Sequence, residues 1–473
     1  MDVAQRNQFS GVGHIPALKS GNQQRGWLPD LFVQQQSPVL RRARNSGTRG
    51  RGHVSTSVHP DFTQRSYGNV IYACLVVLRN SSGNVSASGS PAAPGAEVIA
   101  GRKHALDGLR TIAVAGVFFF HTATESMPGG SIGVDVFFTL SGFVITLLIM
   151  KERLATGRLH LGIFYAKRLA RLWPALLALC AVIVVAGIVF PESGWGGQAG
   201  FVLPAAAYVM NLAHFGFFGD SIAGETMGPT WTLAVEEQFY LVWPLLLLVM
   251  LRFWRIRTAA LATVALAGAF VLNRFLLVNA GEPLDRIYNG PDTRADELLV
   301  GCALALLFTA LRQGSRLHTL LAAAARWAAA PAGLALVAAL FLLKEPDAPG
   351  PWFNAFWTAG PTVLALLAAV LIGSLVLQPA GVLSRLLSHP WLARPGRDLS
   401  YGMYLWHLPV YLLLMPLIPD LPIRIALTAA LTVLLAYASF RCVERPLRRW
   451  ANKRLDSAVV PSVPERCKES VPA

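Results

Sequence analysis

Charged residues are scarce in this chain of 473 residues, since only 14% of them are Asp, Glu, Lys or Arg while 54% are hydrophobic. The five cysteines, at positions 74, 180, 302, 442 and 467, are scattered and form no CxxC or His–Cys pattern. This spacing supports neither a disulfide framework nor a zinc site, and we expect no bound metal. Long apolar runs after about residue 106, combined with so little charge, indicate a polytopic membrane protein.

The formal net charge of +15 would also fit a nucleic-acid-binding protein. The basic residues, however, fall mostly between the apolar runs, where membrane proteins place their cytoplasmic loops. We therefore expect the lipid bilayer as a partner and no nucleic acid.

The first hundred residues differ in composition from the rest of the chain. They are rich in Gly, Ser, Gln, Asn and Arg, and their one apolar run, "IYACLVVL", is about half the minimum length of a membrane span. We predict a disordered basic arm over residues 1–100, a membrane domain over 101–450 and a cytoplasmic tail over 451–473. One hypothesis is that the arm is a start-site artefact, because the motifs begin only after Val98 and no signal peptide is visible.

About ten transmembrane helices with both termini in the cytoplasm are predicted, which makes the fold class an all-α helical bundle. The Lys- and Arg-rich loops set this orientation, because all of them then lie on the cytoplasmic side. The stretch 200–217 is assigned to the outer face or to a re-entrant segment, since an additional span there would place basic loops outside. The predicted spans are 107–125, 131–150, 172–190, 231–251, 259–278, 296–311, 328–343, 358–377, 400–418 and 423–441.

The first span, "LDGLRTIAVAGVFFFHT", carries an arginine and a histidine eleven residues apart. Eleven residues advance a helix by about 16 Å and return the side chain to within roughly 20° of the same face. Arg110 therefore lies near the cytoplasmic boundary, and His121 lies in the outer half of the bilayer on that face. Arg110 is either a topological anchor beside Asp107 or a functional group, whereas a histidine at such depth is usually functional.

Two further spans place carboxylates in the outer half of the membrane. Asp135, near the outer end of the second span, either orients His121 or stabilises the first turn of its helix. Glu236 and Tyr240 of "PTWTLAVEEQFYLVWP" share one helical face, while Glu237 points about 100° away. One of the two glutamates would hold a basic residue while the other is functional.

Other polar residues are candidates for substrate binding. Asp292, Arg294 and Asp296 alternate in charge at the outer mouth of the sixth span, which fits a polar binding surface or a self-satisfied cluster of salt bridges. Tyr404 and His407 are three residues apart on one span and are expected to form a hydrogen-bonded pair that lines a cavity.

On the cytoplasmic side, "FYAKRLARLWP" places Arg168 and Arg171 one helical turn apart, just before the third span. Such a pair would bind a phosphorylated ligand, or it would serve as ordinary positive-inside charge.

Four blocks in this order resemble the acyltransferase 3 family of bacterial membrane acyltransferases. They are "LDGLRTIAVAGVFFFHT", "GGSIGVDVFFTLSGFVIT", "PTWTLAVEEQFYLVWP" and "LSYGMYLWHLPV", and with weaker matches between and after them the resemblance extends from about residue 104 to 450. The family's Arg-x10-His signature falls on Arg110 and His121, its Arg-x-x-Arg on Arg168 and Arg171, and its glutamate on Glu236. The long arm departs from the family, and so does the short tail, in which we expect no esterase-like domain of the kind that some members append.

This resemblance implies transfer of an acyl group, usually acetyl, from cytoplasmic acyl-CoA to a hydroxyl of a carbohydrate, a glycolipid or a small hydroxylated acceptor on the extracytoplasmic side. Arg110, Arg168 and Arg171 would bind acyl-CoA, which is a donor substrate rather than a permanently bound cofactor. His121 would act as general base or carry the acyl group, with Asp135 or Glu236 orienting it.

The expected location is the bacterial cytoplasmic (inner) membrane, which the chain would cross several times. The competing hypothesis is a proton-coupled transporter or flippase, in which His121, Glu236 and His407 relay protons and no bond is made.

Overall fold

The computed structural model describes residues 103–190, 198–215, 226–312 and 314–457. All regular structure in these ranges is helical, and no strand occurs in them. The predicted all-α class is therefore confirmed for the described part of the chain. The predicted arm over residues 1–100 and the part of the tail beyond residue 457 lie outside the described ranges.

Sixteen α-helices form the described part of the chain. They are α1 His104–Thr122, α2 Ile132–Thr156, α3 Leu161–Val189, α4 Val202–Ala206, α5 Met210–His214, α6 Thr230–Phe253, α7 Ile256–Asn279, α8 Leu284–Asn289, α9 Pro291–Ala310, α10 Arg316–Leu342, α11 Pro351–Leu377, α12 Val382–Leu387, α13 Pro390–Asp398, α14 Ser400–Leu414, α15 Leu421–Ser439 and α16 Arg445–Ser457. A 3-10 turn, Ala199–Phe201, precedes α4, and a π-helical turn, Phe440–Glu444, joins α15 to α16.

Each of the ten predicted spans falls on one of the longer helices. Seven helices of the described chain are long and apolar enough to cross a membrane, the last of them running continuously from α15 into α16. The remaining three predicted spans correspond to α1, α9 and α14, which are helices but do not belong to these seven. The number of ten spans and the cytoplasmic location of both termini stay predictions.

The segment 198–215 contains no helix of membrane length. It consists of the 3-10 turn and the helices α4 and α5, each of which has only five residues. A five-residue helix rises about 8 Å, far less than the bilayer core of about 30 Å. The described part of 200–217 therefore does not span the membrane, as the sequence predicted.

Several helix ends use side-chain or backbone capping that the sequence provides. The Ser315 hydroxyl accepts a hydrogen bond from the amide of His318 at the start of α10, and the Asp420 carboxylate accepts one from Ile423 at the start of α15. At the end of α2, Gly157 adopts the left-handed conformation with φ of 75°. These caps satisfy donors and acceptors that the helix itself leaves unpaired.

The helix α2 lies at the centre of the bundle and packs against α1, α6, α9 and α11. About 72% of its most apolar stretch is buried, compared with 17% for α10 and for the continuous α15–α16 helix. The polar face of α2 is consequently buried inside protein rather than exposed to lipid, which allows it to carry functional groups.

Two glycines bring α2 and α9 into direct backbone contact. A Cβ atom at Gly142 would overlap the carbonyl oxygen of Leu298, and a Cβ atom at Gly301 would overlap the carbonyl oxygen of Thr139. The thiol of Cys302 lies 3.4 Å from the carbonyl oxygen of Gly142 across the same contact. Small residues of this kind permit close helix packing in membranes, and they fix the distance between the two helices.

We expect Gly142→Ala to lower the free energy of unfolding by about 1–3 kcal/mol, because the new methyl group meets a backbone oxygen that cannot move alone. The matched control is Gly268→Ala in α7, where nothing lies within 4 Å of the added Cβ atom. The control should be neutral or slightly stabilising, since alanine favours helix over glycine. Thermal unfolding of both purified variants in detergent compares them, and equal melting temperatures would contradict the close α2–α9 contact.

Candidate functional site

A cavity of about 130 Å³ lies among α1, α2, α3, α6 and α14. It brings together residues from five separate stretches of the chain, most of which the sequence singled out. The polar and aromatic side chains that line it are Arg110, Phe137, Phe138, Ser141, Arg168, Arg171, Thr232, Glu236, Tyr240, Ser400, Tyr401 and Tyr404. We call this space the arginine cavity. All three arginines predicted to bind the donor lie in its wall.

Arg168 crosses from α3 to α6 and forms a bidentate ion pair with Glu237. Its Nε lies 3.0 Å from both carboxylate oxygens, and its Nη2 lies 2.7 Å from Oε1. The guanidinium carbon also lies 3.4 Å from the ring centroid of Tyr240, in cation–π contact. Glu237 is therefore the glutamate that holds a basic residue, and Tyr240 supports the arginine from one face.

Glu236 has a different neighbour. The Ser141 hydroxyl on α2 donates a hydrogen bond to Glu236 Oε1 at 2.8 Å, and both side chains line the arginine cavity. The two adjacent glutamates are thus divided as the sequence predicted, with Glu237 in an ion pair and Glu236 facing the cavity. Ser141 on α2 is therefore the hydrogen-bond donor that orients this carboxylate.

The cavity carries more positive than negative charge at the end where Arg171 is exposed. Arg110 lies 3.8 Å from Asp107, whereas Arg171 forms no ion pair with the described residues. Arg448 on α16, which packs against α3, interacts electrostatically with Arg171, and Glu444 interacts with both of these arginines. The cavity lining itself holds three arginines and one glutamate, and this excess of positive charge favours the binding of an anion.

His121 and His407 form a pair at the other end of α1. Nε2 of His407 lies 3.2 Å from Nδ1 of His121, and the ring centroids are 5.0 Å apart. Nδ1 of His407 lies 2.6 Å from the carbonyl oxygen of Tyr404, and Nδ1 of His121 lies 3.0 Å from that of Val117. Since carbonyl oxygens only accept, both Nδ1 atoms carry the hydrogen when the rings are neutral. The single hydrogen on His121 Nδ1 is then shared between the carbonyl oxygen of Val117 and Nε2 of His407, and the lone pair of His121 is left on Nε2.

Neither histidine lines the arginine cavity. Tyr404 connects the two regions, because its side chain lines the cavity and its carbonyl oxygen accepts the hydrogen bond from His407. The Tyr404 hydroxyl contacts the carbonyl oxygen of Pro229 and the hydroxyl of Thr232, at 2.8 Å in each case. The expected pair of Tyr404 and His407 thus exists, but the bond uses the tyrosine backbone because its hydroxyl is engaged with α6.

Asp135 does not orient His121, contrary to one of the two alternatives for this residue. Its Oδ1 lies 3.3 Å from Nη2 of Arg294, and Glu297 lies 3.0 Å from Nε of the same arginine. All three side chains are almost completely buried. A buried guanidinium requires carboxylate partners, and this requirement takes Asp135 away from the histidine.

For Asp292, Arg294 and Asp296 the structure shows ion pairs, which is the second of the two alternatives, and a role in substrate binding stays a prediction. Asp292 lies 2.6 Å from Arg286, and Asp296 forms a fully buried pair with Arg274 at 2.7 Å. These residues form a cluster of salt bridges, in which Nε of Arg294 and both carboxylate oxygens of Glu297 are buried without a hydrogen bond to the described residues. Low dielectric strengthens such pairing, so the charges neutralise one another instead of remaining available.

Glu345, in the loop between α10 and α11, adds a further acid to this outer region. Burial raises the pKa of its carboxyl to about 7, and the nearby charge of Asp135 acts in the same direction. The Ser131 hydroxyl, which donates to Glu345 Oε1 at 2.7 Å, opposes part of the shift. Glu345 is therefore partly protonated near neutral pH.

Three residues that contribute to these arrangements received no functional role from the sequence. Ser141 and Thr232 are short hydroxyl side chains whose partners lie on other helices, so no local pattern marks them. Arg448 belongs to the basic run "RPLRRWANKR", which contributes to the predicted orientation and to the family resemblance but received no binding role. Its position directly after the last predicted span was the one feature of the sequence that could have indicated that Arg448 lies near Arg171.

Comparison with known proteins adds an independent observation. The profile of the acyltransferase 3 family, described as an acyltransferase domain, matches residues 103–441. The chain is 32% identical over 358 residues to the peptidoglycan O-acetyltransferase OatA of Listeria monocytogenes, and 28% identical over 354 residues to the O-acetyltransferase OatA of Staphylococcus aureus. No solved structure matches the chain significantly.

Both alignments cover 73% of the chain, but they cover only 55% and 57% of these relatives. The chain therefore spans little more than half the length of the curated relatives it matches. The profile match, in contrast, includes α1 to α15 and every residue of the arginine cavity. Because that match extends over well more than half of the sequence, the chain belongs to the acyltransferase 3 family.

Proposed function

We propose that the protein is a membrane O-acetyltransferase that moves an acetyl group from cytoplasmic acetyl-CoA to a hydroxyl of a carbohydrate outside the cytoplasmic membrane of a bacterium. Membership of the acyltransferase 3 family supports the reaction class. The relatives named peptidoglycan O-acetyltransferase support peptidoglycan as the acceptor. The single observation that carries the proposal is the arginine cavity beneath the histidine pair on α1 and α14.

The arginine cavity is suited to the nucleotide end of acetyl-CoA. Phosphate groups carry charge that lipid excludes, and arginine binds phosphate oxygens through paired N–H groups. Arg171 forms no ion pair within 4 Å among the described residues, its nearest acidic influence being Glu444, and Arg168 already has its orientation fixed by Glu237. Arg171, with Arg110 and Arg448 beside it, therefore supplies the charge that neutralises the phosphates.

The acyl end of the donor would extend along α1 from Arg110 toward His121, past Tyr404. Eleven residues of helix correspond to about 16 Å, so one elongated molecule would contact both ends of the site. Glu236 and Ser141 line the arginine cavity. They would form hydrogen bonds with the amide groups of the donor. Asp135 has no direct part in this path because it is committed to Arg294.

In the proposed transfer, His121 is the general base. Its Nε2 takes the proton of the acceptor hydroxyl while the oxygen attacks the thioester carbon, and the C–S bond breaks to release the thiolate of coenzyme A. The imidazolium then returns the proton to the thiolate, so the products are the acetyl ester and the free thiol. His407 is a positioning residue, since its Nε2 and the carbonyl oxygen of Val117 together accept from Nδ1 of His121, which keeps the Nε2 lone pair of His121 available.

The reaction is followed with protein in nanodiscs by measuring thiol release from acetyl-CoA in the presence of soluble peptidoglycan fragments. We expect His121→Asn to lower kcat by about 10²–10⁴-fold, because the general base is lost. Arg171→Gln should raise KM for acetyl-CoA by about 10–100-fold with a smaller effect on kcat, because a charge-assisted contact to phosphate is lost.

Matched controls are His389→Asn and Arg255→Gln, which change the same residue types at exposed positions away from the cavity. Both should behave as the parent does. Binding of acetyl-CoA without thioester cleavage for any hydroxylated acceptor would favour a transporter over a transferase. Parent-like kcat in His121→Asn would exclude this histidine as the base.

A second experiment tests the positioning role of His407. We expect His407→Leu to lower kcat by about 10–100-fold, because Nδ1 of His121 keeps only the carbonyl oxygen of Val117 as acceptor and the ring is held less firmly, while KM for acetyl-CoA stays unchanged. His407→Gln, whose amide oxygen retains an acceptor, should recover part of the lost kcat. An equal loss of kcat in both variants, or a change confined to KM, would contradict the positioning of His121 by His407.

A further inference from the structure

A second and larger cavity lies on the opposite side of α1 and α2 from the arginine cavity. Its volume is about 840 Å³, and residues of α1, α2, α10, α11 and α12 line it. This volume falls within the range of about 300–1,000 Å³ that is typical of ligand pockets. Nothing in the proposed reaction uses this space.

The wall of this second cavity is apolar over most of its length. Its α10 side runs from Ala325 to Leu340, which corresponds to about 22 Å of helix. That length exceeds the hydrocarbon depth of one leaflet, about 15 Å. Leu334 and Val382 line the cavity and are also exposed to the surroundings, so the cavity is accessible from the side, where lipid surrounds a membrane protein.

The polar groups of the cavity are concentrated at one end. The Gln378 side-chain amide donates to the carbonyl oxygen of Ala322 at 2.6 Å, which places the end of α11 one helical turn from Arg326. Arg385 lies on α12, which begins four residues after Gln378. The distribution of basic loops assigns this end to the cytoplasmic side.

Both arginines of this end, Arg326 and Arg385, are exposed and line the cavity. Neither forms an ion pair with a carboxylate of the described residues. The Arg326 guanidinium lies 5.6 Å from the ring centroid of Trp327, in the kind of contact that tryptophan makes at a membrane interface. The two positive charges at this end suit an anionic head group. The apolar channel beyond them suits long hydrocarbon chains.

We infer that this second cavity binds one anionic phospholipid of the cytoplasmic leaflet. Arg326 and Arg385 contact its phosphate, and the acyl chains lie along α10 toward Leu340. Basic pockets between transmembrane helices are known to select anionic lipid head groups. The bound lipid would support the back of α1, because Leu109 and Ile112 face this cavity while Arg110 faces the other.

The test is a titration of the delipidated full-length protein, followed by native mass spectrometry, with phosphatidylglycerol or phosphatidylcholine of identical acyl chains. We expect the parent to bind phosphatidylglycerol more tightly than phosphatidylcholine. The double variant Arg326→Gln/Arg385→Gln should bind phosphatidylglycerol about 30-fold more weakly and should lose the preference between the two lipids.

Two further variants separate this binding from general charge effects and from misfolding. Arg255→Gln/Arg257→Gln removes the same charge from exposed positions outside the cavity and should bind both lipids as the parent does. Gly333→Leu fills the cavity without changing charge, and the added Cβ atom finds space because its nearest neighbours are 3.7 and 3.9 Å away. It should weaken binding of both lipids.

Equal binding of the two lipids to the parent would overturn the inference. An equal loss of phosphatidylglycerol binding in Arg326→Gln/Arg385→Gln and in the Arg255→Gln/Arg257→Gln control would also overturn it. None of these outcomes depends on acetyl transfer, so the inference stands or falls independently of the proposed enzyme activity.

Discussion

The bidentate ion pair between Arg168 and Glu237 is the interaction on which the arginine cavity depends. It joins α3 to α6 and neutralises one positive charge at membrane depth, where an isolated guanidinium would be costly. With Glu237 committed in this way, Glu236 turns to Ser141 and faces the cavity. Arg171 keeps its charge for a ligand. The Arg168–Glu237 ion pair thus gives Glu237 a structural role and leaves Glu236 facing the cavity.

The same rule of pairing explains the outer half of the protein. Carboxylates and guanidinium groups there neutralise one another in buried pairs, of which Arg274 with Asp296 is the most enclosed. Buried pairs of this kind add little net stability, yet removal of one partner is strongly destabilising. The uncharged histidine pair differs from them, because a hydrogen bond between two neutral rings leaves one nitrogen available for proton transfer. Proton transfer is therefore assigned to the neutral histidines, while the charged arginines and carboxylates bind the donor or stabilise the fold.

Much of this architecture follows from the sequence. Apolar runs of membrane length located ten helices, and helical spacing placed Arg110 and His121 on one face. What the sequence did not provide is the partner of each polar side chain. Asp135 pairs with a residue 159 positions away and His121 with one 286 positions away. Such pairs are set by the rotation and depth of packed helices, which local periodicity does not encode. For this reason the sequence left two alternatives for Asp135, and the structure places it in the first turn of α2, paired with Arg294 rather than with His121.

The central claim is that one donor molecule occupies the arginine cavity and reaches the histidine pair. An electron cryomicroscopy map of the protein in nanodiscs with coenzyme A tests it most directly. The account predicts density for the phosphates between Arg168 and Arg171, with the thiol sulfur beside His121. Density for the nucleotide end elsewhere in the protein, or a sulfur directed away from α1, would contradict the account.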